Sequence, residues 1–531
     1  MEPESNQPSE IARRLQFLQT DTEARLERVE NSVFFRGLRW LGEKTGYAQR
    51  LRDRVAADTT RDYSNWTERC AWMEPSGDEC ARQIETWHRT PDISYFAGST
   101  DAAGSVSKQH VPPSQTLAFT DAATWRQAVC AAQGDYSVIL PADARVSALA
   151  SYRWSELLEN DGIDAAYSDW DHVSADRQRH TPRFTPEFSP ALLRGTPYWG
   201  GCFLVRTSLL KELGSDLDPS AAAWTHSLAQ RLAEEKKAIT RVPRILWHST
   251  NTPSTRQGTD TSVQPGVPSN ASIVICSRTP RLLEQCLRAL RRSDTALAEI
   301  VVVAHAGGPL AKLQRIAATH GAAAVPYSGQ FHFGLMNAAG AQHSTRPSVV
   351  FLNDDVEPIA AGWLSALLGA LNTPGTGIAG GLLLYPNDTV QHAGIALGGW
   401  PAHIGRGQAS TPLWPWLRLS REVTAVTGAC LAIRRTLWDE LGGFDRRFPV
   451  NYNDVDLCLR ARRAGYSVVL ESGALLYHHE AQTRSTMVTA AERALFSSLW
   501  TLPLTTADPF FSPNLSLRDE QITLAEPNLV G

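Results

Sequence analysis

Residues 271–303 read ASIVICSRTPRLLEQCLRALRRSDTALAEIVVV, and this stretch decides the fold. Ala271–Cys276 is an unbroken apolar run with the length and β-branched content of a buried strand. Across Arg281–Arg291 the apolar residues Leu282, Leu283, Cys286, Leu287 and Leu290 recur three and four apart, which gives a helix one apolar face. Glu299–Val303 is a second strand. A strand, a helix and a strand in that order predict a parallel pair with the helix packed across it, and so an α/β domain.

Downstream, the apolar run Ser348–Leu352 leads directly into Asn353-Asp354-Asp355-Val356-Glu357. Acids at the carboxyl end of a buried parallel strand lie where open α/β sheets bind ligands. Adjacent side chains diverge there. One carboxylate can ligate a divalent cation, which would neutralise a diphosphate, while the other reaches a ribose hydroxyl. A solvated turn or a helix cap would use the same residues. Farther on, Asn453-Asp454-Val455-Asp456 opens a helix, where acids also serve as caps and complement the helix dipole. His478 and His479 follow an apolar strand, Ala474–Tyr477.

Upstream, Ser249–Asn270 is rich in Ser, Thr, Pro and Gly and reads as an exposed linker between two modules. Between residues 60 and 250, strand-like runs (Ser137–Leu140, Ala165–Tyr167, Cys202–Val205) alternate with helical ones (Ser147–Leu158, Ala221–Glu235), again an α/β pattern. Near the start, Ile11, Leu15, Leu18, Leu26, Val29 and Val33 form one stripe of a helix, and the aromatics and arginines of Val33–Leu41 suit a membrane interface or a packing partner. Residues 9–45 thus offer peripheral membrane contact or coiled-coil self-association.

The 531 residues carry 51 basic and 55 acidic side chains, a balance that points away from a nucleic-acid partner. Eight scattered cysteines without a CxxC pair fit reduced thiols better than a disulfide framework. The polar start MEPESNQPSE lacks the features of a secretory signal, and no run is apolar over the roughly 18 residues needed to span a bilayer. A cytoplasmic protein is expected, with the inner face of the membrane within its reach.

The second module resembles glycosyltransferase family 2, nucleotide-sugar enzymes of the GT-A fold. The resemblance runs in the family's order through SIVICSRTPRLLEQCLRAL, EIVVV, FHFGLMNAAGA, FLNDDVEP, LLLYPNDTVQHAG, VTGACLAIRR, LGGFDRRF, NDVDLCLRARRAGY and LYHHEAQTRS, with DPFFSPNLSL near the end. It implies a Rossmann-like mixed sheet with helices on both faces. It also implies Asp355 as metal ligand, with His479, favoured over His478, closing the site, and Mg2+ or Mn2+ as the ion. Asp354, Asn353, Ser277, Arg278 and Asn337 fall on the donor side. Asp454 takes the role of general base in an inverting transfer, with Asn453 and Asp456 beside it. Gly428 and Ala429, like the Gln391–Gly394 block, line the cleft.

The chain departs from the family at Ala304-His305-Ala306-Gly307, where an aspartate usually ends the second strand, and at Arg278-Thr279. The first module resembles the same fold through DYSNWTERCAW, DAAYSDWDHVSADRQRHTPRFTPEFSPALL, GGCFLVRTSLLKELG and RVPRILWHS. Between Phe96 and Gln115 it leaves little room for a nucleotide-binding half. Its acidic motif survives only as Pro141-Ala142-Asp143-Ala144, and Asp169 and Asp171 read as structural. The expected organisation is an N-terminal helical segment (1–58), a truncated and inactive GT-A-like domain (59–250), a linker (251–270), a catalytic GT-A domain (271–485) and an extension (486–531). The expected function is metal-dependent inverting transfer of a sugar from a nucleotide-diphosphate sugar to a glycan or lipid-linked glycan acceptor in cell-surface polysaccharide synthesis. The alternative is a catalytically lapsed scaffold or glycan-binding partner.

Overall fold

The computed structural model describes residues 62–526 apart from 72, 89, 160–161, 222, 252–269, 410–413, 480–487 and 519. The N-terminal segment 1–58, the stripe at 9–45 and nearly all of the linker lie outside the described residues. Contacts divide the chain into Met1–Glu68 and Arg69–Gly531. Of the first unit only 62–68 are described, and they are helical. The rest concerns the second unit, in which no described helix is long and apolar enough to cross a membrane.

Residues 271–478 build a mixed sheet whose strand order is Ala323–Tyr327, Glu299–His305, Ala271–Ser277, Ser348–Asn353, Cys430–Arg434, Thr376–Leu384, Ser467–His478 and Val356–Pro358. The first four strands are parallel. Cys430–Arg434 then runs antiparallel between Ser348–Asn353 and Thr376–Leu384. The helix begins with Pro280 in its first turn, where the missing N–H costs nothing, and runs Pro280–Leu290. Its Leu283, Cys286, Leu287 and Leu290 join Ile273, Ile275 and Val302 in one core. Each leucine buried in this way contributes about 2 kcal/mol. The opposite face takes the helix Phe333–His343. A Cβ on Gly340 would come within 2.3 Å of Val274 Cγ1, so glycine is what lets that helix lie close to the sheet.

Residues 93–249 build a second mixed sheet with the order Gln115–Ala118, Ile93–Ala97, Tyr136–Leu140, Phe203–Arg206, Ala165–Val173, Ile239–Ser249 and Ala144–Val146. It repeats the order and directions of the other sheet and lacks counterparts of Ala323–Tyr327 and of the short strand Arg421–Glu422, which pairs with Ser467–His478. The shortening falls in a different place from the one expected. A seven-residue helix, Thr100–Val106, fits between Phe96 and Gln115, because the crossover 98–114 is long enough to return the chain parallel. What is absent is a helix and strand between Gln115–Ala118 and Ala122–Ala131.

The two sheets are joined by polar contacts shut away from water. Ser189 Oγ donates to the Glu422 carboxylate, and Ala191 N–H donates to Glu422 Oε2 at 3.1 Å. From the C-terminal segment, Asn514 Nδ2 donates to Asp169 Oδ2 at 2.8 Å, and Asp508 accepts from Leu397 N–H at 2.7 Å. Asp169 also accepts from the N–H and hydroxyl of Thr185 and is fully buried, so its oxygens are spent on structure. Asp171 is likewise taken up by Arg179 and His248.

Burial raises the Glu422 carboxyl above its ordinary 4.5. The folded chain therefore holds that proton to higher pH than the unfolded chain does. Its stabilisation is full below 4.5 and is lost as pH rises through the folded value. Calorimetry on Glu422→Gln should show a smaller fall in Tm between pH 5 and pH 8 than in the native chain.

Candidate active site

The strand Ser348–Asn353 ends against the first of the acids. Ser277 Oγ, at the end of the neighbouring parallel strand, donates to Asp354 Oδ2 at 2.6 Å. Asp354 is thereby turned toward the hollow that Ser277 and Arg278 line with Cys276, His305, Phe331 and Met336. Asp355 faces the other edge. His479 N–H donates to its carbonyl at 3.0 Å, and His478 Nε2 lies 3.3 Å from its Oδ1. His479 Nε2 lies 3.3 Å from Glu357 Oε1. The imidazole set against the Asp355 carboxylate is therefore that of His478, because strand alternation sends the next side chain to the other side.

Among the described residues no three His, Cys, Asp or Glu side chains are arranged to enclose a metal. Hard divalent ions are commonly held by one or two carboxylates and the phosphates of a ligand. Asp355 with His478, whose Nδ1 is buried without a partner among the described residues, fits that open kind of site.

Asp454 is the second residue of the helix Asn453–Arg463, which starts from Tyr452 in the left-handed region, φ 63°. Gly428 N–H donates to its Oδ2 at 2.8 Å and Val455 N–H to its Oδ1 at 2.9 Å. A Cβ on Gly428 would lie 3.5 Å from Asp454 Cβ and 3.1 Å from the Phe333 ring, so glycine permits the approach. Ala429 links the two groups of acids, since its carbonyl accepts from Asn353 N–H at 3.0 Å.

Three expected site residues turn away from this opening. Asn337 is buried and donates to Phe333 O within its own helix. Asn453 is buried and donates to Val450 O at 2.7 Å. Asp456, 1% exposed, pairs with Arg460 at 2.8 Å and accepts from Trp500 Nε1 at 3.0 Å. Burial raises the Asp456 carboxyl above its ordinary range. Helical geometry explains the split, because Asp454 and Asp456, two residues apart, face different sides. His305, at the departure from the family pattern, has both nitrogens engaged. Nδ1 accepts from Gly307 N–H at 3.0 Å, so the proton sits on Nε2 and goes to Gly329 O at 3.0 Å.

Register carries each of these positions into the first sheet. Val356 pairs with His478 and Ala144 with Ser249, so Asn353-Asp354-Asp355 correspond to Pro141-Ala142-Asp143. Thr250 N–H donates to Asp143 O at 2.8 Å, as His479 N–H does to Asp355 O. There Ser249 and Asn251 occupy the Asp143 carboxylate, at 2.8 and 2.9 Å. The helix Trp224–Glu234 also starts from a left-handed residue, Ala223, and places Thr225 where Asp454 stands. Arg231 and Arg460, eighth in their helices, both donate to the last carbonyl of the preceding helix, Leu213 and Leu441.

Residues 268–496 match the family model described as Glycosyltransferase like family 2. Over this segment the chain is similar to that family. This transferase-like segment is built on the mixed sheet of residues 271–478. The chain is 28% identical over 520 residues to the O-antigen biosynthesis protein RfbC of Myxococcus xanthus, covering 88% of this chain and 39% of that protein. It is 30% identical over 187 residues to an N-acetylglucosaminyl-diphospho-decaprenol L-rhamnosyltransferase of Mycobacterium tuberculosis, covering 29% of this chain and 58% of that one. It thus spans less than two thirds of the length of either relative. A mannosyltransferase from Pyrobaculum calidifontis solved with GDP-Man and Mn2+ shares 17% identity over 40% of this chain and 57% of its own, with a TM-score of 0.31, at which the likeness carries no argument.

The two acids of the transferase domain's helix should separate by experiment. Asp456→Ala leaves buried Trp500 Nε1 without its acceptor and Arg460 without its counter-charge, and should cost about 3 kcal/mol in denaturant unfolding. Asp454→Asn should change stability by less than about 1 kcal/mol, because its amide oxygen still accepts from Gly428 N–H.

Proposed function

We propose that the transferase domain, 271–485, moves a sugar from a nucleotide-diphosphate sugar to a hydroxyl of a glycan or glycolipid acceptor, with inversion, in cell-surface polysaccharide assembly. The observation that supports this most is the short path Asp354, Asn353, Ala429, Gly428, Asp454, which sets donor-side acids and a candidate base at one end of one sheet. Asp354 and Ser277 face the hollow suited to the nucleoside. Asp355 and His478 would hold Mg2+ or Mn2+, which when bound offsets the charge on the departing diphosphate.

In the reaction the acceptor oxygen forms its bond to the anomeric carbon as the bond to the diphosphate breaks, and its proton passes to Asp454. Two backbone N–H groups keep that carboxylate aimed, and a placed base is most useful as the hydroxyl becomes acidic in the transition state. The first sheet (59–250) we read as a lapsed repeat of the same machinery. Thr225 cannot act as a base, Ala142 offers no carboxylate, and Ser249 and Asn251 already occupy Asp143.

The test is to incubate the full chain and Mn2+ with a panel of nucleotide sugars and extracted glycolipid, and to follow nucleoside diphosphate release. Release should require metal and a single donor class, and should fall at least 100-fold in Asp454→Asn. A native chain that neither binds nor turns over any donor would leave the scaffold reading in its place.

A further inference from the structure

His392 is fully buried in the transferase domain, an uncommon place for an imidazole. Its Nε2 accepts from Thr427 N–H at 3.3 Å, and its Nδ1 faces His403 Nδ1 at 3.0 Å. With Nε2 accepting, the proton of the neutral ring sits on Nδ1 and goes to His403. The next peptide along, Gly428 N–H, is the donor to Asp454 Oδ2 at 2.8 Å. His403 is itself held from the C-terminal hairpin, where Glu520 Oε1 accepts from His403 N–H at 3.2 Å and Oε2 pairs with Arg406 at 2.9 Å.

We infer that His392 is a positioning residue for Asp454, acting through the Thr427–Gly428 peptides that it anchors. This rests on the transferase reading above. The first sheet supplies an internal control. Leu383 pairs with His392 and Trp170 with Arg183, and Leu383 and Trp170 take equivalent places beside Leu476 and Trp247. Arg183 therefore stands where His392 stands. Phe203 and Leu431 are likewise equivalent, so Trp199-Gly200-Gly201-Cys202 take the places of Thr427-Gly428-Ala429-Cys430, but Gly200 is left-handed at φ 71° and its N–H donates to Pro197 O, where Gly428 N–H donates to Asp454. In the repeat that has Arg183 in place of the histidine and Thr225 in place of the acid, the loop thus takes another course. What the histidine adds is a fixed acceptor for Thr427 N–H, which holds the neighbouring N–H on the base. A base displaced by about 1 Å loses on the order of 100-fold in rate.

The test uses His392→Ala, His392→Gln and His392→Asn in the full chain, with two readouts. The first is kcat and donor KM for nucleoside diphosphate release. The second, independent of activity, is amide exchange of residues 424–429 in the presence of Mn2+ and UDP, GDP or dTDP. His392→Ala should lower kcat about 30- to 100-fold with donor KM within about threefold, and should speed exchange of that loop at least tenfold while the strand Ser348–Asn353 stays protected. Glutamine, whose side-chain oxygen reaches the place of Nε2, should restore at least tenfold of the loss, and the shorter asparagine should not. Three results would overturn the inference: kcat within twofold of native in His392→Ala, a glutamine variant no better than alanine, or unchanged exchange at 424–429. A native chain inert with every donor would sink the transferase reading, and the exchange arm would still decide whether His392 holds the loop.

Discussion

The antiparallel pairing of Cys430–Arg434 with Ser348–Asn353 is the constraint on which the rest of this site depends. It places the loop before one strand beside the acids after the other, so that Ala429 O takes Asn353 N–H while the adjacent Gly428 N–H takes Asp454. The two carboxylate groups come from segments about a hundred residues apart, and a ladder of backbone hydrogen bonds sets their spacing. Side chains then need only short reaches, which favours a preorganised site.

The same ladder exists twice in this chain. Tyr136–Leu140 pairs with Phe203–Arg206 as Ser348–Asn353 pairs with Cys430–Arg434, and the helix that follows starts from a left-handed residue in both. The residues at the open end differ. A framework can keep its core while the chemistry at its rim is exchanged, which is why fold alone does not imply function. The first repeat remains bound to the second through Glu422 and the Asp508–Asn514 segment, whose contacts reach Leu397 and so the region around His403. On the reading proposed above, its contribution is mechanical support for the loops of the second repeat.

Much of this was legible in the sequence because it is local. The strand and helix periods of 271–303, the acids after Ser348–Leu352 and the helix opening at Asn453 each follow from short-range pattern. Three features were not legible, each for a physical reason. Asp456 reads like Asp454 in a string, but helical rotation buries it against Trp500. His478 and His479 are indistinguishable by spacing, and the pleat of the strand decides which one meets Asp355. The Gln391–Gly394 block reads as cleft lining. The anchoring of Thr427 by His392 arises from a loop pairing 35 residues away in sequence, which no window along the chain reveals.

The central claim is that one repeat, and not the other, holds the ion and diphosphate. The direct measurement is the stoichiometry of Mn2+ bound with UDP, GDP or dTDP per full chain, by calorimetry and electron paramagnetic resonance, in the native protein and in Asp355→Ala and Asp143→Ala. The account predicts one equivalent per chain, abolished by Asp355→Ala and unaffected by Asp143→Ala. Two equivalents, or a single one that survives Asp355→Ala and disappears in Asp143→Ala, would contradict it.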